Sequence, residues 1–363
     1  MSEDARPIVG ISMGDPYGNG PEITVKALSD PGIYERCRPV VIGDGVPMQY
    51  ALAVAALVSG IRLKLNVIRD VDEALFEFGT IDLISLDIIQ NHDYPGIPES
   101  AEECRPLGVG VSKAGGEAGF QYVVHLIRLC MEKKIHATVT NAISKEAINL
   151  AGHHYSGHTE IYADYTKCPH YSMMLAAGNL RVVHVSTHVS LREACDRVRK
   201  ERVLECIRLA DSACRQLGIR DPRIGVAGLN PHCGENGLFG TEEQEEIQPA
   251  IDIALGEGIN IPDRGPAPAD TVFSKALGGW YDIVVAMYHD QGHIPVKVKG
   301  FVYSQERKKW DAVSGVNITL GLPVIRVSVD HGTDFYQAGS GQDSELSLVN
   351  AIDYAVQLQK GEQ

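Results

Sequence analysis

The chain has 363 residues, 44% hydrophobic and 22% charged, which is enough to bury a large core in about two domains of roughly 150 residues each. Forty-seven acidic residues against 33 Lys and Arg leave a net charge of −14, which repels phosphate backbones and anionic membrane surfaces and excludes nucleic acid as an expected partner. The opening "MSEDARPIVGISMGDP" has no apolar signal region, and no run reaches the ~18 uninterrupted apolar residues of a membrane helix, so a cytoplasmic, membrane-free protein is expected.

In chain order, "PIVGISM", "RPVVIGD", "LKLNVI" and "TIDLISL" read as short strands, followed by a predicted helix over 111–133 and the strand "HATVTNA". After it come "RVVHVST", a helix over 191–218, "RIGVAGLN", a helix over 241–257, "YDIVVAMYHD", "PVIRVSVD" and a last helix over 344–360. Thr241 with Gln244 three residues on, followed by acids, opens the 241–257 helix like a capping box. Strand and helix alternation of this kind argues for α/β layers around a parallel sheet, where ligands gather outside the carboxyl ends of strands. The eight cysteines (37, 104, 130, 168, 195, 206, 214 and 233) contain no CxxC pair, as in a reducing compartment, and no disulfide is expected.

Polar groups at strand ends carry the chemistry. His92, His125, His170 and His184 read as surface or satisfied core groups. His188, His232 and His289 each close a strand or strand-turn and would converge on one cleft in an α/β sheet. Three imidazoles suit Zn, Co, Mn or Fe better than Mg or Ca, and three protein nitrogens with open positions make a catalytic rather than a structural site. Asp290 is a candidate partner behind His289. In "GHTE", His158 and Thr159 stand at a helix start, where free N–H groups favour a phosphate or Thr159 simply caps the helix. Lys297 and Arg326 are cations inside apolar alternation, serving either an anionic ligand or a structural ion pair, and Asn317 reads as a ligand contact or a turn. "SMGDPYGNGPEI" lacks the P-loop and GxGxxG patterns and is a weak nucleotide signal, whereas "DHGTDFYQAGSGQDS" offers backbone donors for an adenosine moiety or is a tight surface loop.

Taken together and in order, "GDPYGNGPE", "GHTE", "STH", "GLNPHCGENG", "PAPADTVF", "MYHDQG" and "GVNITLGLPVIRVSVDHGT" resemble the 4-hydroxythreonine-4-phosphate dehydrogenase family of vitamin B6 synthesis over nearly the whole chain. The resemblance implies His188, His232 and His289 as ligands of a divalent metal (Zn, Co, Mn or Mg) and His158, Thr159, Lys297, Asn317 and Arg326 as substrate contacts. It also implies a homodimer with an active site shared between subunits. The implied fold is two α/β/α domains similar to isocitrate and isopropylmalate dehydrogenases with the active-site cleft between them, expected as 1–143 with 331–363 and as 144–330. By the same likeness His331 and Gly332 would hold the adenosine end of NAD or NADP.

The implied reaction is oxidation and β-decarboxylation of a 4-phosphorylated four-carbon hydroxy acid, 4-phosphooxy-L-threonine going to 3-amino-2-oxopropyl phosphate and CO2, with Lys297 returning a proton and Asp270 as a further general base. Three departures bear on the substrate: "GDPYGNGPE" for the usual "GDPAGIGPE", "NPHCGE" for "NPHAGE", and an insertion at 302–314 between Lys297 and Asn317. The insertion resembles the branch acting on D-threonate or D-erythronate 4-phosphate, and a further branch oxidises carboxylated cis-dihydrodiols. A three-histidine hydrolase or aldolase and a silent sugar-phosphate binder are the alternatives of other classes.

Overall fold

The computed structural model describes residues 4–306 and 309–361. Its strands are β1 (Ile8–Ser12), β2 (Arg38–Gly43), β3 (Lys64–Ile68), β4 (Thr80–Ser85), β5 (Ala137–Thr140), β6 (Ser172–Ala177), β7 (Leu180–His184), β8 (Ile224–Val226), β9 (Ile283–Ala286), β10 (Phe301–Ser304), β11 (Lys309–Val313), β12 (Val316–Leu320) and β13 (Arg326–Val329). They divide between two compact units, one running to Cys168 with Leu322–Gln359 added, the other built on Pro169–Gly321.

In the first unit the strands lie in the order β3-β4-β2-β1-β5-β13, all parallel. The near-continuous burial of β1, β2 and β5 matches a sheet covered on both faces, which is why these strands read as apolar runs and not as alternation. The helix predicted over 111–133 spans Lys113–Met131; Ser112 caps it by accepting from the Gly115 N–H at 3.0 Å, and its Tyr122, Val123 and Leu126 are fully buried. Helix His158–Thr166 packs against this helix, and β13 returns to pair with β5. Residues 144–168 and 322–330 therefore go with the first unit, in place of the expected boundaries at 143 and 330.

The second unit has the order β12-β6-β7-β9-β8. Its β7, β9 and β8 are parallel, as the alternation predicted, but β6 and β12 are antiparallel additions. The run "SMMLAA" of β6 carries no β-branched signal and becomes a strand through a tight turn at Gly178 (φ +58°) that folds it onto β7. The 191–218 helix is broken into Leu191–Asp196 and Lys200–Gln216. At 241–257 the expected capping box does not form: Glu243–Ile247 is a π-turn that leads into the helix Gln248–Gly256. Pro249 has no N–H for the Glu245 carbonyl, and Glu243 turns inward to other partners. The described part of the 302–314 insertion is an antiparallel hairpin, β10 with β11, Phe301 opposite Val313 and a register shift after Val302; residues 307 and 308 lie outside the described residues. Among the described residues no helix is long and apolar enough to cross a membrane.

Asp15, in the glycine-rich loop after β1, is 1% exposed, and burial pushes its carboxyl up to about 7. A carboxyl held above its ordinary 3.8 supports the fold while protonated and costs stability as it ionises, so the loss develops between about pH 4 and pH 7. Asp15→Asn, uncharged throughout, is expected to gain about 2–4 kcal/mol on the parent chain across that interval and nothing further above it. Urea unfolding of both proteins at a series of pH values measures this; a difference independent of pH would mean that Asp15 does not titrate there.

Candidate active site

In the second unit, helix His289–Gly300 begins just past the carboxyl end of β9 and packs against β6 and β7. His289, His293 and Lys297 follow one another at i, i+4 and i+8 and so share a helix face. The His289 and His293 rings stack at 3.5 Å between centroids and 12° between planes, and His188, in the segment after β7, brings its ring to 5.7 Å from His289. Asp290 Oδ1 lies 2.6 Å from His289 Nδ1, the expected carboxylate behind the imidazole, which leaves Nε2 as the outward nitrogen. Behind this face His184 is fully buried at the end of β7, its Nδ1 3.3 Å from the Met173 carbonyl and its ring 4.7 Å from that of His293. Burial, then neighbouring positive charge, holds His293 at about 4 and His184 at about 3, so both are neutral at physiological pH. His184 is a core histidine as expected, but it also buttresses the site; His293 was missed, and its only signal was the spacing from His289 and to Lys297.

Gly292 makes this packing possible. A Cβ there would stand 2.3 Å from His184 Nε2 and 2.7 Å from Val182 Cγ1. Gly292→Ala is expected to cost about 2–3 kcal/mol of stability by overpacking and to displace the helix start that carries His289. Chemical denaturation reads the first effect; an unchanged midpoint would show that the contact relaxes freely.

His232 sits on an unusual turn. His232, Cys233, Gly234, Glu235 and Asn236 all have left-handed backbones, φ between 44° and 78°. For the non-glycine residues this costs roughly 1–2 kcal/mol each and persists only where the surroundings impose it. The buried Glu243 carboxylate accepts from the N–H groups of Leu229 and Asn230 at 2.8 and 2.7 Å and from Asn230 Nδ2 at 2.9 Å. Gln291 ties the same loop to the His289 helix, donating to the Gly228 carbonyl at 2.8 Å and accepting from Met287 N–H at 2.7 Å. Cys233 is pushed up to about 11 by burial, then by Glu243 and Asp270, so it is a protonated thiol and not a reactive one; the same influence places the exposed Asp270 near this turn. The donor set suits a divalent metal by chemistry, three imidazoles of which one has its carboxylate partner. Among the described residues, however, no three His, Cys, Asp or Glu side chains stand close enough to hold an ion, so the set is not closed.

The first unit holds a second group. Arg326, 2% exposed at the start of β13, donates from Nη2 to Thr140 Oγ1 at 3.0 Å and lies over the Tyr162 ring. Burial lowers its guanidinium to about 10, still fully charged at neutral pH. His158 is the first residue of helix His158–Thr166; its Nε2 is sealed from solvent with no hydrogen-bond partner, and burial with the charge of Arg326 holds the ring well below its ordinary range. A neutral imidazole with an orphaned nitrogen beside a buried cation is a receptor for an anion's oxygens. Thr159 lies in the first turn of the same helix, without a side-chain cap at its N-terminus.

The remaining candidates fall as follows. Asn317 is on β12, a strand and not a turn, and its Nδ2 approaches Met173 Sδ at 3.0 Å. Lys297 Nζ stands 4.4 Å from the centre of the Phe301 ring, and its charge reaches His293. His331 and Gly332 follow the carboxyl end of β13, with His331 Nδ1 2.8 Å from the Gly332 carbonyl and open space around Gly332. His158, Thr159, Arg326, His331 and Gly332 thus belong to the first unit, and His188, His232, Asp270, His289, Lys297 and Asn317 to the second.

In the second unit His188, His232 and His289 follow the carboxyl ends of β7, β8 and β9, where α/β sheets place their ligands, and in the first unit a buried guanidinium stands ready for an anion. The family model described as pyridoxal phosphate biosynthetic protein PdxA matches residues 35–355. The D-threonate 4-phosphate dehydrogenase of Cupriavidus necator is 44% identical over 98% of each chain. Among solved structures, the 4-hydroxythreonine-4-phosphate dehydrogenase of Burkholderia phymatum is 41% identical over 98% of this chain and 99% of its own, with a TM-score of 0.77. That of Klebsiella pneumoniae is 37% identical over 97% and 99%, with a TM-score of 0.79. The chain belongs to the pyridoxal phosphate biosynthetic protein PdxA family. It is a dehydrogenase acting on a CH–OH group, which overturns the hydrolase, aldolase and silent-binder alternatives.

Proposed function

We propose that the chain oxidises and decarboxylates a 4-phosphorylated four-carbon hydroxy acid with NAD+ or NADP+ and a divalent metal. The first substrate is D-threonate 4-phosphate, giving dihydroxyacetone phosphate, CO2 and NAD(P)H; the second is 4-phosphooxy-L-threonine, giving 3-amino-2-oxopropyl phosphate. The relative named for D-threonate 4-phosphate and the β10–β11 hairpin at the insertion support that order. The observation that carries the chemistry is the single helix face presenting His289, His293 and Lys297, with His188 against its first ring.

A divalent ion on His188, His232 and His289 would supply positive charge for the oxyanion that develops during oxidation and decarboxylation, and the nicotinamide ring would take the hydride. Asp290 fixes the tautomer of His289, and the His293 ring holds its plane. Arg326 binds the anionic end of the substrate with two parallel N–H donors, and neutral His158 adds a hydrogen bond without adding charge. Thr159 and Asn317 complete the substrate contacts. The Lys297 amine returns a proton to the enolate carbon left by CO2, and Asp270 is the candidate base for the hydroxyl proton. Lys297→Ala is expected to lower kcat by about 10²- to 10³-fold with little change in KM. A rise in KM alone would make Lys297 an anion contact. A homodimer that shares the site between subunits and a cytoplasmic address belong to the same reading.

The test is NADH and NADPH formation with Mn2+, Co2+, Zn2+ or Mg2+, offering D-threonate, D-erythronate and L-hydroxythreonine 4-phosphates in separate assays. Turnover of the sugar acids is the expected result. Turnover of the amino acid alone would make the second substrate the true one, and silence with all three would overturn the phosphate reading in favour of carboxylated dihydrodiols.

A further inference from the structure

Two pinned feet hold the loop after β13. Thr333 accepts from the Asn19 N–H at 2.8 Å, and residues 339–343 are fastened by a single carboxylate, Glu22, in the first turn of helix Gly20–Ala27. Its Oε2 accepts from the N–H groups of Gly339 and Gly341 at 3.0 and 3.1 Å, and its Oε1 from that of Asp343 at 3.1 Å. One helical turn on, Lys26 donates from Nζ to the carbonyls of Gly341 and Asp343 at 2.8 and 2.6 Å and faces Glu22 at 3.7 Å. Glu22 is 3% exposed, and the left-handed Gly339 (φ +94°) and Gly341 (φ +75°) turn both N–H groups onto one oxygen. Between the feet the chain stands open, with Tyr336 91% exposed. Charge-assisted hydrogen bonds from Glu22 and Lys26 clamp the 339–343 foot, and a backbone hydrogen bond holds the other foot at Thr333.

We propose that Glu22 and Lys26 are positioning residues for the nicotinamide cofactor: the clamp presents the 331–337 arch, ready formed, to the adenosine end. This rests on the reading that the arch receives the cofactor. The "GDPYGNGPE" loop, poor as a nucleotide motif, is then the anchor behind the nucleotide and not its contact. Ordering the arch in advance removes the entropy cost from cofactor binding.

Glu22→Gln keeps the shape but has one acceptor oxygen for three N–H groups, so at least one is left facing an amide NH2. Amide hydrogen exchange at 339, 341 and 343 is expected to rise at least tenfold while the sheet amides stay protected, and the Kd for NAD(P)+ is expected to rise about tenfold with kcat at saturating cofactor within about twofold. Unchanged exchange overturns the clamp, and faster exchange with unchanged Kd overturns the positioning role. Should the parent enzyme bind cofactor without protecting 331–343, the cofactor seat itself is wrong, and the clamp then stands or falls on exchange alone. Lys26→Met, which removes the two bonds to carbonyls and the ion pair with Glu22 but leaves the Glu22 acceptors in place, repeats the test if Glu22→Gln does not fold.

Discussion

On the proposed mechanism, His289→Asn is expected to lower kcat/KM by at least 10³-fold and to lose the divalent metal expected in the purified parent protein, read together by steady-state NAD(P)H formation and elemental analysis. The size follows from the proposed role of the ring: an ion held there would supply positive charge opposite the developing oxyanion, and losing such stabilisation would remove several kcal/mol from the transition state. Asn is short of the ring's reach by more than a bond length and has no imidazole nitrogen. Asp290→Asn, which leaves His289 in place but weakens the partner that orients it, should cost about 10- to 100-fold in metal affinity. Metal content and activity within tenfold of the parent in His289→Asn would remove the histidine face from the mechanism.

On the proposed reading, Arg326→Met should lower kcat/KM by about 10²- to 10⁴-fold, mainly through KM, because it would delete two charge-assisted hydrogen bonds to the substrate's anion at roughly 1.5–3 kcal/mol each. Arg326→Lys should recover only part of the loss, since an ammonium lacks the planar fork. The same Met variant is expected to unfold at slightly higher denaturant than the parent. A base whose folded value burial has lowered to about 10 costs the fold stability at every pH below that value, and an apolar side chain of similar length does not. Normal KM with a large fall in kcat would instead place Arg326 at the reacting carbons.

The strands were legible in sequence for local reasons, and so was the placing of the candidate histidines past their ends. β1, β2, β5, β9 and β13 are short β-branched runs ended by glycine or a polar loop, and His188, His232 and His289 stand one to several residues past such ends. The failures share a cause. β6 is Met and Ala rich and takes its conformation from β7 and β12; the turn alternative for Asn317 gave way to a strand, β12, that pairs with β6; and the capping box at Thr241 lost to Glu243, whose carboxylate serves a loop thirteen and fourteen residues back. In each case a tertiary partner outweighed the local preference.

By itself the sequence determined the α/β class, the parallel core of the first unit and the net acidic charge. Local spacing sets the first two, because apolar period and turn residues act over a few positions. Only the tertiary structure decided that Arg326 meets Thr140 across 186 residues and Glu22 meets Gly339 across 317. It alone decided that Thr159 and Arg326 fall in one unit, and that a left-handed turn carries His232. Those pairings follow from strand order in the sheet, and strand order is settled by which faces bury one another, a choice no window of neighbouring residues contains.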